Sequence, residues 1–232
     1  AIKEIIDNLK STNLLAWQQT KESVFELLKK EKCQNFEDCI KWARLLFEEL
    51  FNLKIRDLQY YIPRDKITKE GLPFWTGNKR FPEIQKYDPN NNYHAEFVTS
   101  AAILRARIFG IQIESNIPQR ASKVQISEWK LSSKEIKIPE EESNDDKQEI
   151  EVTEDTEDSI NEIISLVQNC KELRPEIFEK DDDANGHIDF VAAAANIRAL
   201  NYQIETEDKL EIKRIAGKII PAIATTTAMI CG

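Results

Sequence analysis

Three adjacent carboxylates followed by a histidine are the first chemistry the sequence offers. Phe178–Phe190 reads FEKDDDANGHIDF, with Asp181, Asp182 and Asp183 ahead of His187, residue types that bind a hard cation or move a proton. Cation loops such as the EF-hand space their oxygen ligands at alternate positions and close with a bidentate Glu, and that pattern is absent. Helix capping explains the run more simply. Asp183 or Asn185 can accept from the free backbone N–H groups of a following helix, while the other acids favour its positive end. Capping ranks first, contact with a ligand or partner second and a metal third.

Other chemistry-bearing residues are weaker. Pro73–Pro82 reads PFWTGNKRFP, and Lys79 and Arg80 could present charge from an aromatic base. The structural alternative is favoured: Phe74 and Trp75 anchor the loop into a helical core, and Gly77 supplies a positive φ. In Ile215–Ala228, IAGKIIPAIATTTA, Lys218 could reach a phosphate, yet no glycine-rich phosphate loop accompanies it, so a structural lysine is expected. Cys33, Cys39, Cys170 and Cys231 lie far apart without a C-x-x-C pair, which argues against zinc and for a reducing compartment. Cys39 falls on an apolar stripe, where burial raises a thiol pKa and makes it inert.

The elements that must position these residues are mostly helices. In 14–30, Trp17, Val24, Leu27 and Leu28 form an apolar stripe. In 36–51, Phe36, Cys39, Ile40, Ala43, Leu46, Phe47 and Leu50 follow helical spacing, with Asn35 as cap and Asp38 at the third position. Ile55, Leu58 and Ile62 share a face on a shorter helix stopped by Pro63. An ordered loop fills 64–92. From Tyr93 the helical period returns through Phe97, Ala101, Leu104 and Ile108, closed by Gly110 as a left-handed cap. Residues 111–138 alternate weakly and predict short strands at best. Ile160, Ile163, Ile164 and Val167 make 159–170 amphipathic, and the alanines at 192–195 invite close helix packing.

Length and charge bound the function classes. The chain of 232 residues and 26.9 kDa suits one large domain or two smaller ones. Its net charge of −9 is local: residues 140–158 hold eleven Asp or Glu against one Lys, and the remainder is about neutral. That tract reads as a solvated linker, which brief proteolysis should cut first. No basic stripe suggests nucleic acid, no stretch of about 18 apolar residues suggests a membrane span, and the N-terminus reads as neither signal nor transit peptide.

Taken together and in order, PFWTGNKRFP, FEKDDDANGHIDF and IAGKIIPAIATTTA resemble the motifs of ubiquitin-activating enzymes, with Thr76 where the family has Ser and Gly186 before His187. Tyr93–Gly110, Asn196–Ile197–Arg198–Ala199 and ISEWKLSSKEIKI at 126–138 are similar to further family segments. The resemblance covers most of the chain, weakening over 1–30 and 111–170. It implies a mainly α fold with minor β: residues 1–138 as the helical second catalytic-cysteine half-domain without its nucleophile, 139–158 as an acidic flexible linker, 159–175 as a helix and connection, and 176–232 as the return into a partial α/β adenylation domain.

In that family ATP with magnesium adenylates the ubiquitin C-terminus, a cysteine carries the acyl group as a thioester, and a conjugating enzyme receives it. The family's catalytic-cysteine motif does not occur in this chain. The resemblance therefore assigns no catalytic, cofactor-binding or metal-binding residue here. It implies an inactive piece with no cofactor of its own, ubiquitin and conjugating enzymes as partners, and residence in cytoplasm and nucleus. Two alternatives stand beside it: a helical interaction module whose acidic tract binds basic partners, and an activating enzyme for another ubiquitin-like modifier. The PFWTGNKRFP loop favours ubiquitin.

Overall fold

In the computed structural model, residues 14–77, 79–131, 157–168, 173–174 and 176–217 are described. Helix α1 (Leu14–Phe25) runs into a widened π-helical turn, Glu26–Lys30. Helix α2 (Phe36–Glu48) passes through a second such turn, Glu49–Leu53, into α3 (Lys54–Tyr61). After the long loop come α4 (Asn92–Ile108), the short α5 (Ile117–Ala121), α6 (Glu157–Gln168), α7 (His187–Asn201) and α8 (Lys209–Ala216). The fold is mainly α. Among the described residues the β component is one isolated antiparallel bridge, Ile67 to Pro73.

Helix α2 begins where its sequence says it should. Asn35 Oδ1 accepts from Asp38 N at 3.0 Å and Asp38 Oδ2 accepts from Asn35 N at 3.3 Å, a reciprocal capping box. Its stripe builds the core. Phe36, Cys39, Ile40, Ala43 and Phe47 are buried with Phe97, Val98, Ala101 and Ala102 of α4 and Ala193 and Ile197 of α7. Phe47 sits at the centre, with ring centroids 5.3 Å from Phe51, 5.3 Å from Tyr87 and 4.8 Å from His94. Edge-to-face packing of this kind adds to the burial of each ring. Gly110 has φ +62°, the left-handed cap expected after α4.

The second π turn has a packing reason. Phe47, Phe51 and Ile55 are all buried and spaced by four residues. In an unbroken α-helix each such step advances about 40° beyond a full turn, so the series would drift off the core. Widening the turn at Glu49–Leu53 absorbs the drift and keeps Phe51 and Ile55 inward.

A smaller cluster joins α1 to α6 through buried Trp17 and Ile163, with Val24, Phe25 and Ile164 packed around them. Lys29 and Glu162 pair at 2.6 Å on its surface. Helix α6 starts at Glu157, two residues inside the predicted linker, whose residues up to 156 lie outside the described ones. The strands expected in 111–138 are not seen in 111–131. Asn116 adopts a left-handed conformation (φ 59°), Pro118 fits the first helical turn, and Ile117 and Ala121, four apart, turn inward as α5. Beyond it Trp129 donates from Nε1 to Asp57 Oδ1 at 2.9 Å, fixing that segment onto α3. Ile136 and Ile138 lie outside the described residues.

Candidate functional site

The PFWTGNKRFP loop and the start of α7 are the segments whose residue types suggested function, and the structure draws the first against the end of α7. Trp75 donates from Nε1 to the carbonyls of Ile62 (3.1 Å) and Pro63 (3.0 Å), just past the end of α3, where Pro63 O also accepts from Lys66 N at 3.0 Å. Phe74, Trp75 and Phe81 stack edge to face at 4.9 and 5.3 Å. Lys79 rides on Phe74 at 4.7 Å and Arg64 on Phe81 at 4.8 Å. This corrects the expected anchoring: Phe74 and Trp75 stay half-buried and outside the main core, where they close a helix end and carry cations. Gly77 has the expected positive φ, +62°. The loop's tail is fixed by Gln59, which donates to the carbonyl of buried Pro82 at 2.8 Å, and by Arg80, which donates to the carbonyl of Gln203 just past α7.

At the other motif, Asn185 accepts from His187 N at 2.7 Å and so supplies the capping bond, with Gly186 between them in a left-handed conformation (φ +79°). Asp183 does not cap α7. It pairs with Lys213 of α8 at 2.8 Å, which holds its carboxyl below the usual range, because the chain turns it away from the helix end. Asp182 accepts from Ala184 N at 2.9 Å. His187 is buried: its Nδ1 accepts from Glu179 N at 2.9 Å, its Nε2 lies 3.1 Å from Glu176 Oε1, and Phe178 stacks on it at 5.8 Å. Every polar edge of this histidine therefore serves the turn, while Ile177 (81% exposed) and Phe178 (51%) face outward. Lys218 lies outside the described residues.

Two residues not singled out as functional hold the seam. The π turn at Glu49–Leu53 presents carbonyls to side chains of α7. Arg198 donates to Leu50 O at 3.0 Å, and Asn201 Nδ2 donates to Phe51 O at 3.1 Å and Glu83 O at 2.6 Å. Asn196 clamps Glu207 in both directions, each bond 2.9 Å, and so sets the turn into α8. The signal was polar residues at 196, 198 and 201 inside an otherwise apolar helix; what they meet is more than a hundred residues away for Arg198 and Asn201.

Cys39 is fully buried, as expected of a structural thiol, and its Sγ donates to Asn35 O at 3.6 Å, while Cys33, of the same buried cluster, donates to Glu31 O at 3.6 Å. Hydrogen bonding to Cys33, then burial, pushes the Cys39 thiol up, while the same bond together with Arg105 lowers that of Cys33. The two sit at the second position before the Asn35 cap and the fourth after it, which is where a chain entering a helix folds over its first turn.

Comparison with known proteins decides the family. Residues 2–213 match the family described as "Ubiquitin-activating enzyme, SCCH domain". This chain belongs to the ubiquitin-activating enzyme family. It is 39% identical to ubiquitin-activating enzyme E1 1 of Arabidopsis thaliana over 93% of this chain and 21% of that protein. It is 37% identical to ubiquitin-activating enzyme E1 1 of Schizosaccharomyces pombe over 91% of the chain and 21% of that protein. With human ubiquitin-like modifier-activating enzyme 6 it shares 36% identity over 99% of the chain and 22% of the relative. The chain thus spans about a fifth of the length of the curated relatives it matches.

Among the described residues no group of three His, Cys, Asp or Glu is placed to hold a metal ion, and the Asp181–Asp183 run is spread over backbone caps and an ion pair. No helix among them is long and apolar enough to cross a membrane.

Proposed function

We propose that this chain is the helical second catalytic-cysteine half-domain of an enzyme that uses ATP and magnesium to adenylate ubiquitin, carries it as a cysteine thioester and passes it to conjugating enzymes in cytoplasm and nucleus. The match over residues 2–213 carries the reading. The chain's own part is positional. It holds a rigid helical body from 36 to 108 and ties that body through Arg198, Asn201 and Arg80 to the helix that leads onward from the 178–190 turn. A thioester needs an activated thiolate, and Cys39, fully buried beneath Phe36 and Ile40, is not one. The turn at 177–186, built on side-chain caps with exposed apolar residues, is where the half-domain would pivot when the nucleophile travels to the adenylate.

The test offers ubiquitin, and separately SUMO, to this chain and to the longer protein that contains it, with ATP and magnesium, on non-reducing gels. The longer protein should give a dithiothreitol-sensitive ubiquitin adduct and this chain none. An adduct on this chain that disappears in Cys39→Ala, or a longer protein charged only by SUMO, would overturn the reading.

A further inference from the structure

His187 has both backbone groups of one residue, Glu179, within reach of one ring nitrogen. Its Nδ1 lies 2.9 Å from Glu179 N and 3.3 Å from Glu179 O, while its Nε2 lies 3.1 Å from Glu176 Oε1. Two of these contacts fix the proton. The amide N–H needs a lone pair at Nδ1 and the carboxylate needs an N–H at Nε2, so the ring is neutral with its hydrogen on Nε2. A second proton has one place to go, Nδ1, where it faces an N–H. In that state the bond to Glu179 N is lost, and the same nitrogen becomes a donor toward Glu179 O, which Asn185 Nδ2 already reaches at 2.7 Å.

The charged groups around the ring pull in opposite directions. Glu176 favours the imidazolium. Arg107 of α4 lies 3.4 Å from the same carboxylate oxygen, Arg174 lines a surface cavity with that pair, and His187 is the first residue of α7, at its positive end; all three oppose a cation there. Asp183 and Asp189 are paired with Lys213 and Lys209 of α8, and Glu179 Oε1 accepts from Asp181 N at 2.9 Å. Arg107 also donates to Asn185 O. The turn is thus gripped at both ends by Arg107 and at its middle by the histidine, whose bond alone changes with one proton.

We propose that His187 is a proton-operated latch on the turn between Glu176 and Asn185. Neutral, it pins the Phe178–Glu179 peptide through Glu179 N; doubly protonated, it releases that N–H and holds Glu179 O instead. The proton comes from solvent and no covalent bond breaks. The backbone set loose carries Ile177 and Phe178, the outward-facing apolar pair of the turn. This rests on the reading of 177–186 as a pivot only for its consequence, a joint whose stiffness follows pH. The bond itself is read in the chain alone, so the latch and the pivot can fail separately.

The experiment titrates the full chain, labelled with nitrogen-15 and carbon-13, by NMR from about pH 8 to about 5, the range over which an imidazole takes up a proton. At the start the ring nitrogens of His187 should report hydrogen on Nε2. As the ring titrates, the Glu179 amide proton should move with the same midpoint. Its protection against exchange, corrected for the intrinsic pH dependence, should fall about tenfold, the size of one net hydrogen bond. The His187 amide, which donates to Asn185 Oδ1, should keep its protection. In Glu176→Gln the ring and amide midpoints should fall together, because the ring loses the carboxylate that favours its charge. The proposal fails if the neutral ring carries its hydrogen on Nδ1, if the ring takes no proton over this range, or if the Glu179 amide holds still while it does. It fails equally if Glu176→Gln leaves the midpoints in place or raises them.

Discussion

Replacing Asn201 tests the seam between the two halves of the described structure. The side chain is fully buried, and its amide group donates to Phe51 O and Glu83 O. Phe51 O keeps a second donor, Gln85 N at 3.1 Å, whereas Glu83 O loses its side-chain donor in Asn201→Ala. An orphaned buried acceptor costs about 1–3 kcal/mol. Asn201 Oδ1 is itself buried without a hydrogen bond in the structure, and its removal offsets part of that. The expected loss is about 2 kcal/mol, or roughly 4–8 °C in Tm for a domain of this size. Asn201→Asp keeps the shape but points carboxylate oxygen at two carbonyls, so it should lose more, about 3 kcal/mol or above. Thermal melting and urea unfolding give the energies, and hydrogen exchange at the Glu83 amide, which donates to Asn201 O, should quicken in both variants. Two results would refute the reasoning: an Ala variant that melts within about 1 °C of the parent, or an Asp variant no worse than Ala.

Burial holds the His94 imidazole down to about 4, so the unfolded chain binds more protons than the folded one between that pH and about 6.5. Stability should therefore fall as pH drops through this window, by about 2 kcal/mol from pH 6.5 to 5, and urea unfolding of His94→Asn should show a flatter pH slope than the parent. Parallel slopes would exclude His94 as the source. Asn35→Ala removes half of the α2 capping box and should cost about 1 kcal/mol, read as a Tm lower by roughly 2–4 °C. No change there would mean that packing alone sets the start of α2.

What could be read from the chain alone was what neighbours in sequence decide. The α2 stripe, the Asn35–Asp38 box and the Gly110 cap are local patterns, and each stands where periodicity and capping chemistry put it. Errors arose where two local rules competed. Val124, Ile126 and Trp129 suggest a weak alternation in 111–138, but Asn116 with Pro118 makes a helix start, and the i, i+4 pair Ile117 and Ala121 found the core. Asp183 and Asn185 were equivalent as caps on paper. Lys213, brought close by α8, took Asp183. The carbonyls met by Arg198 and Asn201 depend on α7 coming to lie against the end of α2 and the loop at Glu83, which no local pattern reports. The candidate segments at 73–82 and 178–190 were therefore legible as segments, while the bonds that give them a role were not.

The widened turn at Glu49–Leu53 also sets what kinds of sequence change the domain can absorb. It acts as a phase adjuster between two stretches of regular helix, so its side chains can vary while its residue count cannot. Removing one residue there would restore an ordinary helix and rotate everything after it by about 100°, carrying Ile55 and Ile62 off the core and the helix carbonyls out of register with Arg198 and Asn201. Substitution and deletion at the same five positions should thus have opposite outcomes, and natural variation in chain length would be displaced into the loops on either side.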